Sequence, residues 1–253
     1  MNSLRVTFLG SADAFNSAGR AHSCYLVEDP HGCFAVDFGP TALVQCKRLG
    51  VDPDRLDAVV MTHMHGDHVG GVPVLLVDLQ YRAWRTRPFS LVGPPGGQKR
   101  LGDLRIGSYP EITRRGLRYP LQWQDLSVPG TLQMGPRKIT AIRAHHEQNA
   151  VSTSLKIETA GHTLVFSGDT GWHQPLVDLA RGADLFICEC SSVSPQTDRH
   201  ICLEELEMHR ALINVKQWVL THLNGEMRQA RARVEALGAH LADDGMVIEL
   251  KAT

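Results

Sequence analysis

The heptapeptide Thr62-His63-Met64-His65-Gly66-Asp67-His68 packs four potential metal ligands into six positions. In an extended backbone alternate side chains share a face, so His63 and His65 can point the same way. Gly66 permits a sharp turn that swings Asp67 and His68 toward a neighbouring point. Two imidazoles suit one divalent ion, and a carboxylate with an imidazole can begin the shell of a second. The chemistry open to such a cluster is metal-assisted hydrolysis.

Positioning these residues requires a rigid frame. Leu56–Met61 is short, β-branched and apolar, which predicts a buried strand, and Val69 to about Trp84 is long enough for a helix. The cluster therefore falls in a strand-to-helix loop, where α/β folds place chemistry. Further strands are predicted at Leu4–Leu9, His22–Glu28, Cys33–Asp37, Phe89–Gly93 and Lys138–Ala144. Val151–Thr159 and His162–Phe166 form a hairpin around Ala160-Gly161, followed by strands at Asp184–Cys190, Gln217–Leu220 and Met246–Leu250. Helices are expected near Thr41–Leu49, Leu203–Ile213 and Glu226–Leu237.

The His-x-His-x-Asp-His signature resembles that of the metallo-β-lactamase superfamily, and the resemblance runs nearly end to end. It implies an α/β fold, the four-layer αββα sandwich, with two divalent metal ions at one edge. The superfamily's further ligands are a strand-end histidine, a metal-bridging aspartate and a histidine near the C-terminus. His146, with His145 as the alternative, takes the first place after Lys138–Ala144. Asp169, in Ser167-Gly168-Asp169-Thr170-Gly171, takes the second, and His222 the third. The resemblance thus implies His63, His65 and His146 on one ion, Asp67, His68 and His222 on the other, and Asp169 between them. Zn2+ is favoured by the imidazole-rich shell, with Mn2+ or Fe also accepted by mixed nitrogen and oxygen ligation. Asp67 and His200 are the candidate catalytic residues, His200 being either a proton donor or a surface residue, and Asp37 either orients a ligand histidine or caps the helix that follows.

Within the superfamily the chain resembles the ribonuclease Z and phosphodiesterase branch. Phe89-Ser90-Leu91-Val92-Gly93-Pro94-Pro95-Gly96-Gly97 and the loop Ser11–Arg20 are similar to segments of that branch. Cys188 stands where ribonuclease Z has the histidine of a His-Glu-Ala-Thr motif, while Glu189 matches its glutamate. The short span from His146 to Asp169 leaves no room for the long tRNA-grasping arm.

Composition narrows the remaining classes. A chain of 253 residues can bury one large core, and no linker divides it, so residues 1–253 are read as one domain. A formal net charge of -1 gives no global attraction to nucleic acid or membrane. Arg82–Arg118 departs from that balance, with nine cations against two acids, which suits an anionic small molecule or an RNA end as substrate. No apolar run approaches the roughly 18 residues of a membrane span. The first residues show no export signal and the six cysteines form no Cys-x-x-Cys pair, so a cytoplasmic protein with reduced thiols is expected. A homodimer is compatible with all of this. The expected function is a binuclear metal-dependent phosphodiesterase acting on a small or cyclic phosphodiester or an RNA end. A hydrolase of a lactone, thioester or other carboxylic derivative and a non-enzymatic metal-binding module are the alternatives.

Overall fold

Strands that are apolar on both faces are stable only between further layers. The computed structural model, which describes residues 3–251, has that arrangement. The first half contains β1 (Leu4–Gly10), β2 (Cys24–Asp29), β3 (Gly32–Val36), α1 (Ala42–Arg48) and β4 (Leu56–Val60). It continues through α2 (Gly66–Val69), α3 (Val72–Tyr81), β5 (Phe89–Gly93), α4 (Gly97–Ser108), α5 (Pro110–Arg115) and β6 (Leu121–Asp125). The second half contains β7 (Gly130–Met134), β8 (Arg137–Arg143), β9 (Thr153–Thr159), β10 (His162–Phe166) and α6 (Gln174–Ala180). It ends with β11 (Leu185–Glu189), α7 (Leu203–Met208), β12 (Trp218–Thr221), α8 (Arg231–Ala236), β13 (His240–Leu241) and β14 (Val247–Leu250).

Two seven-stranded sheets result, ordered β14-β1-β2-β3-β4-β5-β6 and β13-β12-β11-β10-β9-β8-β7. Each begins antiparallel and turns parallel toward its other side, so the halves share one plan; β14 closes the first sheet beside β1. Strand alternation divides the core. In β4, Ala58 and Val60 pack between the sheets, while Leu56 and Val59 pack outward beneath α1 and α3. In β11, Leu185 and Ile187 face the other sheet and Phe186 and Cys188 face α6 to α8. These are the four layers of the αββα sandwich. Among the described residues no helix is long and apolar enough to cross a membrane.

Local differences from the sequence expectation have physical reasons. The helix expected over Val69–Trp84 is divided at Gly70-Gly71, where the backbone packs so closely that a Cβ would lie 2.4 Å from the Gly66 carbonyl oxygen or 2.2 Å from that of Gly39. Helices α4 and α5 carry three glycines and many charges, so no apolar stripe announces them.

One ion pair joins the two sheets in the interior. Arg137 on β8 donates two hydrogen bonds to the Asp29 carboxylate on β2, at 2.7 and 2.8 Å, and Thr159 on β9 donates a third at 2.6 Å. Burial raises the Asp29 carboxyl, but Arg137 and Thr159 outweigh it and hold the pKa below the ordinary value. Removing one partner leaves an uncompensated charge, so Asp29→Leu alone should cost about 3–5 kcal/mol and Asp29→Leu with Arg137→Met markedly less. A carboxyl with a depressed folded pKa stabilises the protein above its unfolded value near 3.9, and that stability is lost as pH falls through the folded value. Urea unfolding at pH 7 and near pH 3 measures both effects; a double variant no better than the worse single one would contradict the pairing.

Candidate metal centre

The centre lies where strand ends converge. His63 and His65 follow β4, His146 follows β8, Asp169 follows β10, Glu189 ends β11, His222 follows β12 and Asp37 follows β3. Thr153 stitches the halves together here, donating through its N–H and its hydroxyl to the Thr62 carbonyl at 3.0 and 2.7 Å.

In the first group, His63 Nε2, His65 Nδ1 and His146 Nε2 face one another at 3.0 and 3.1 Å, with Asp169 Oδ2 at 3.7 Å from His63 and 3.8 Å from His146. The outer ring nitrogens set the tautomers. Thr62 Oγ1 donates its proton to Asp37 and so accepts from His63 Nδ1 at 3.1 Å. The Arg199 carbonyl accepts from His146 Nδ1 at 3.1 Å, and the Glu147 carboxylate lies 3.1 Å from His65 Nε2. Each ring therefore spends its N–H outward and aims a lone pair inward. Three lone pairs cannot hydrogen-bond to one another. Their spacing is close to the ~3.3 Å expected between nitrogens on a tetrahedral ion with bonds of about 2.0–2.1 Å.

In the second group, Asp67 Oδ2 lies 3.2 Å from His68 Nε2 and 3.4 Å from His222 Nε2. Asp169 completes it, with Oδ1 3.2 Å from His68 Nε2 and Oδ2 3.4 Å from His222 Nε2. His68 Nδ1 donates to Asp37 Oδ2 at 2.7 Å, leaving Nε2 buried and, among the described residues, without a hydrogen-bond partner. Asp169 thus belongs to both groups, one of four donors in each.

The electrostatics suit cations. Burial and the neighbouring His68 push His63 well below its ordinary value, so its imidazole is neutral. Burial opposes charge on Asp169, yet His222 and His68 hold it well below the usual carboxylate range. Burial likewise opposes charge on His222, but Asp169 and Asp67 raise it to about 9. One buried and one half-buried carboxylate among five imidazoles make a locus that stabilises positive charge, and the donor set suits divalent metal ions.

A third histidine group borders the second. His200 Nδ1 donates to Glu189 at 2.9 and 3.1 Å, and its ring stacks on His222 with centroids 5.4 Å apart. The sequence paired neither residue with the other. The match of Glu189 to the ribonuclease Z glutamate was the available signal, and Cys188 beside it points instead into the outer core. His145 lies away from both groups, 3.6 Å from Asp198, while His146 is in the first.

The cation-rich stretch does not form a wall at this centre. Arg85 is 2% exposed and bound to Asp54 and backbone carbonyls, Arg82 pairs with Asp78 and Asp52, and Arg87 pairs with Asp57. Acids outside the stretch supply most of the compensation. Arg100 alone of the nine, among the described residues, pairs with a carboxylate that also touches a site histidine, Glu147 at 3.6 Å. Arg20 is likewise turned outward, to Asp243 at 2.9 Å.

This architecture is a metallo-hydrolase fold of the metallo-β-lactamase type, with a candidate metal site at its edge. A family model described as the anti-Pycsar protein Apyc1 matches residues 4–243, and the chain belongs to that family. An uncharacterized protein of Mycobacterium tuberculosis is 33% identical over 87% of this chain and 81% of its own. Ribonuclease Z of Methanothermobacter thermautotrophicus is 25% identical, covering 98% of this chain and 97% of the relative. Among solved structures, the metallo-β-lactamase fold protein YhfI of Bacillus subtilis superposes with a TM-score of 0.79 at 22% identity, covering 98% and 100% of the two chains.

Asp37 orients His68 without reaching either cluster's centre, and its replacement should act through that ring. Asp37→Asn should weaken zinc binding about 10- to 100-fold while the protein stays folded by circular dichroism. Competition with a chromogenic chelator measures this; unchanged affinity would show that the 2.7 Å contact positions nothing.

Proposed function

We propose that the protein is a binuclear metal-dependent phosphodiesterase acting on a small or cyclic phosphodiester. The observation that carries this reading is Asp169 shared between two four-donor groups on one cavity of about 380 Å³, which His200 also lines. His63, His65 and His146 would hold one ion, Asp67, His68 and His222 the other, with Asp169 serving both; Zn2+ suits the imidazoles best, and Mn2+ or Fe also fits. Bound ions of this kind supply Lewis acidity to a phosphoryl group and lower the pKa of a coordinated water.

The chain's own groups do the rest. Asp37, Thr62, Glu147 and the Arg199 carbonyl fix the ring orientations of His68, His63, His65 and His146. His68 and His222, whose pKa values, despite burial, the neighbouring carboxylates raise, would each release a proton on binding a cation. His200 is the proton donor. Burial opposes its charge, but the Glu189 carboxylate outweighs that and raises its pKa, and with Nδ1 committed to Glu189 the Nε2–H is left for a leaving oxygen. The ribonuclease Z relative makes phosphodiester chemistry the first choice. A long RNA is disfavoured, because the span between His146 and Asp169 is taken up by β9 and β10 inside the second sheet, with no arm.

A second reading, hydrolysis of a lactone or thioester, draws support from the lining of the cavity at the centre, which includes none of the nine cations of the Arg82–Arg118 stretch. Zinc-supplemented protein should turn over a cyclic nucleotide and bis(p-nitrophenyl) phosphate faster than a panel of lactones and thioesters. His200→Ala should lower kcat on the ribose ester about 10²- to 10⁴-fold and spare the p-nitrophenyl ester, whose leaving group needs no proton. Turnover confined to the lactones would favour the second reading, and equal losses on both phosphodiesters would remove His200 as the acid.

A further inference from the structure

Phe15 is a large apolar side chain that the fold keeps in water. It is 86% exposed, and it lines the same cavity as His65, Asp67, Asp169, His200 and His222. An isolated exposed aromatic on a loose loop would carry little meaning. This loop is not loose.

Both ends of the loop are tied to one carboxylate. Asp244 accepts from the Ser11 N–H and hydroxyl at 3.1 and 2.8 Å and from the Ala21 N–H at 2.8 Å. Its middle is wound around Asp13, which accepts from the Phe15 N–H, the Ser17 N–H and the Ser17 hydroxyl at 3.1, 3.1 and 2.7 Å. His22 donates to the Ala14 carbonyl at 3.3 Å. The segment is also zipped to the site, the Leu223 N–H donating to the Ser11 carbonyl at 3.0 Å next to His222. Asn16 and Ala18 adopt φ of 54° and 55°, a left-handed conformation costing non-glycine residues energy that the surrounding bonds must offset. Strain and eight side-chain or backbone ties together hold the loop that carries Phe15 beside the metal centre.

We propose that Phe15 is a stacking platform for a flat aromatic group carried by the substrate, a nucleobase being the class that accompanies a small phosphodiester. This rests on the phosphodiesterase reading for the substrate's other end. With the phosphodiester at Asp169, the rest of the molecule must leave through the cavity mouth that Phe15 borders. A phenyl face offers stacking without reading base edges, so the platform contributes affinity for nucleotides as a class.

The test uses zinc-supplemented protein and two substrates, a 3′,5′-cyclic nucleotide and the methyl riboside 3′,5′-cyclic phosphate that lacks the base. Phe15→Ala should raise KM for the nucleotide roughly 5- to 150-fold, the range that base stacking reaches on truncation to alanine, with kcat nearly unchanged. KM for the base-free ester should stay constant, Phe15→Trp should retain wild-type KM, and Phe15→Leu should fall between. A readout independent of turnover is fluorescence of Phe15→Trp minus wild type, titrated with a nucleoside 5′-monophosphate and with ribose 5-phosphate. Quenching by the nucleotide alone supports the platform even if neither cyclic ester is hydrolysed, which would sink only the phosphodiesterase reading. Normal hydrolysis with parallel KM changes on both esters, or with no base-dependent quenching, overturns the platform. A Phe15→Ala effect confined to self-association in sedimentation also overturns it.

Discussion

The buried carboxylate of Asp37 is the constraint from which the centre is built. It receives the Thr62 N–H, the Thr62 hydroxyl and His68 Nδ1, at 2.8, 2.8 and 2.7 Å. Those three bonds fix the start of the ligand loop, the tautomer of His68 and, through the committed Thr62 hydroxyl, the tautomer of His63. Asp37 does this from a left-handed backbone with φ of 57°, unfavourable for aspartate and held by the sheet on one side and the loop on the other. A single residue at the end of β3 thereby sets the direction of lone pairs in both donor groups.

The rest of the fold can be read as support for that arrangement. His222 also has φ of 56°, and Gly168, with φ of 58°, must be glycine because a Cβ would lie 2.5 Å from the Thr153 carbonyl. Left-handed backbone at Asp37, His222 and Gly168 thus occurs where strand ends meet the candidate ligands. The energy that offsets it comes from elsewhere, chiefly from the apolar layer between the sheets. Gathering buried carboxylates and imidazoles is costly unless charge is balanced, and the pairing of Asp169 and Asp67 with His68 and His222 provides that balance.

How much of this was legible in the sequence follows from range. His63, His65, Asp67 and His68 are neighbours in the chain, so their proximity needed only one loop and one turn. The alternating strands of the second sheet, and the glycine-flanked Asp169 after one of them, carry strong local signals. His145 and His146 both lie beyond Arg143, where β8 ends, so strand alternation alone could not choose between them. The choice is made by distant contacts, the Thr170 hydroxyl to the His145 N–H at 2.9 Å and the Arg199 carbonyl to His146. The arginine-rich stretch was misleading for the same reason. Its acids, Asp52, Asp54 and Asp57, lie some thirty residues earlier, and only the packing of α3 beside β4 brings them together. Glu189 and His200 likewise meet across a loop that no periodicity describes.

The central claim is that two ions share Asp169, each with its own set of histidines. Anomalous diffraction from zinc-loaded crystals, collected on both sides of the zinc edge, tests it directly. The account predicts two peaks per chain flanking the Asp169 carboxylate, one against His63, His65 and His146 and the other against Asp67, His68 and His222. A single peak at full zinc saturation, or a second peak away from Asp169, would contradict it.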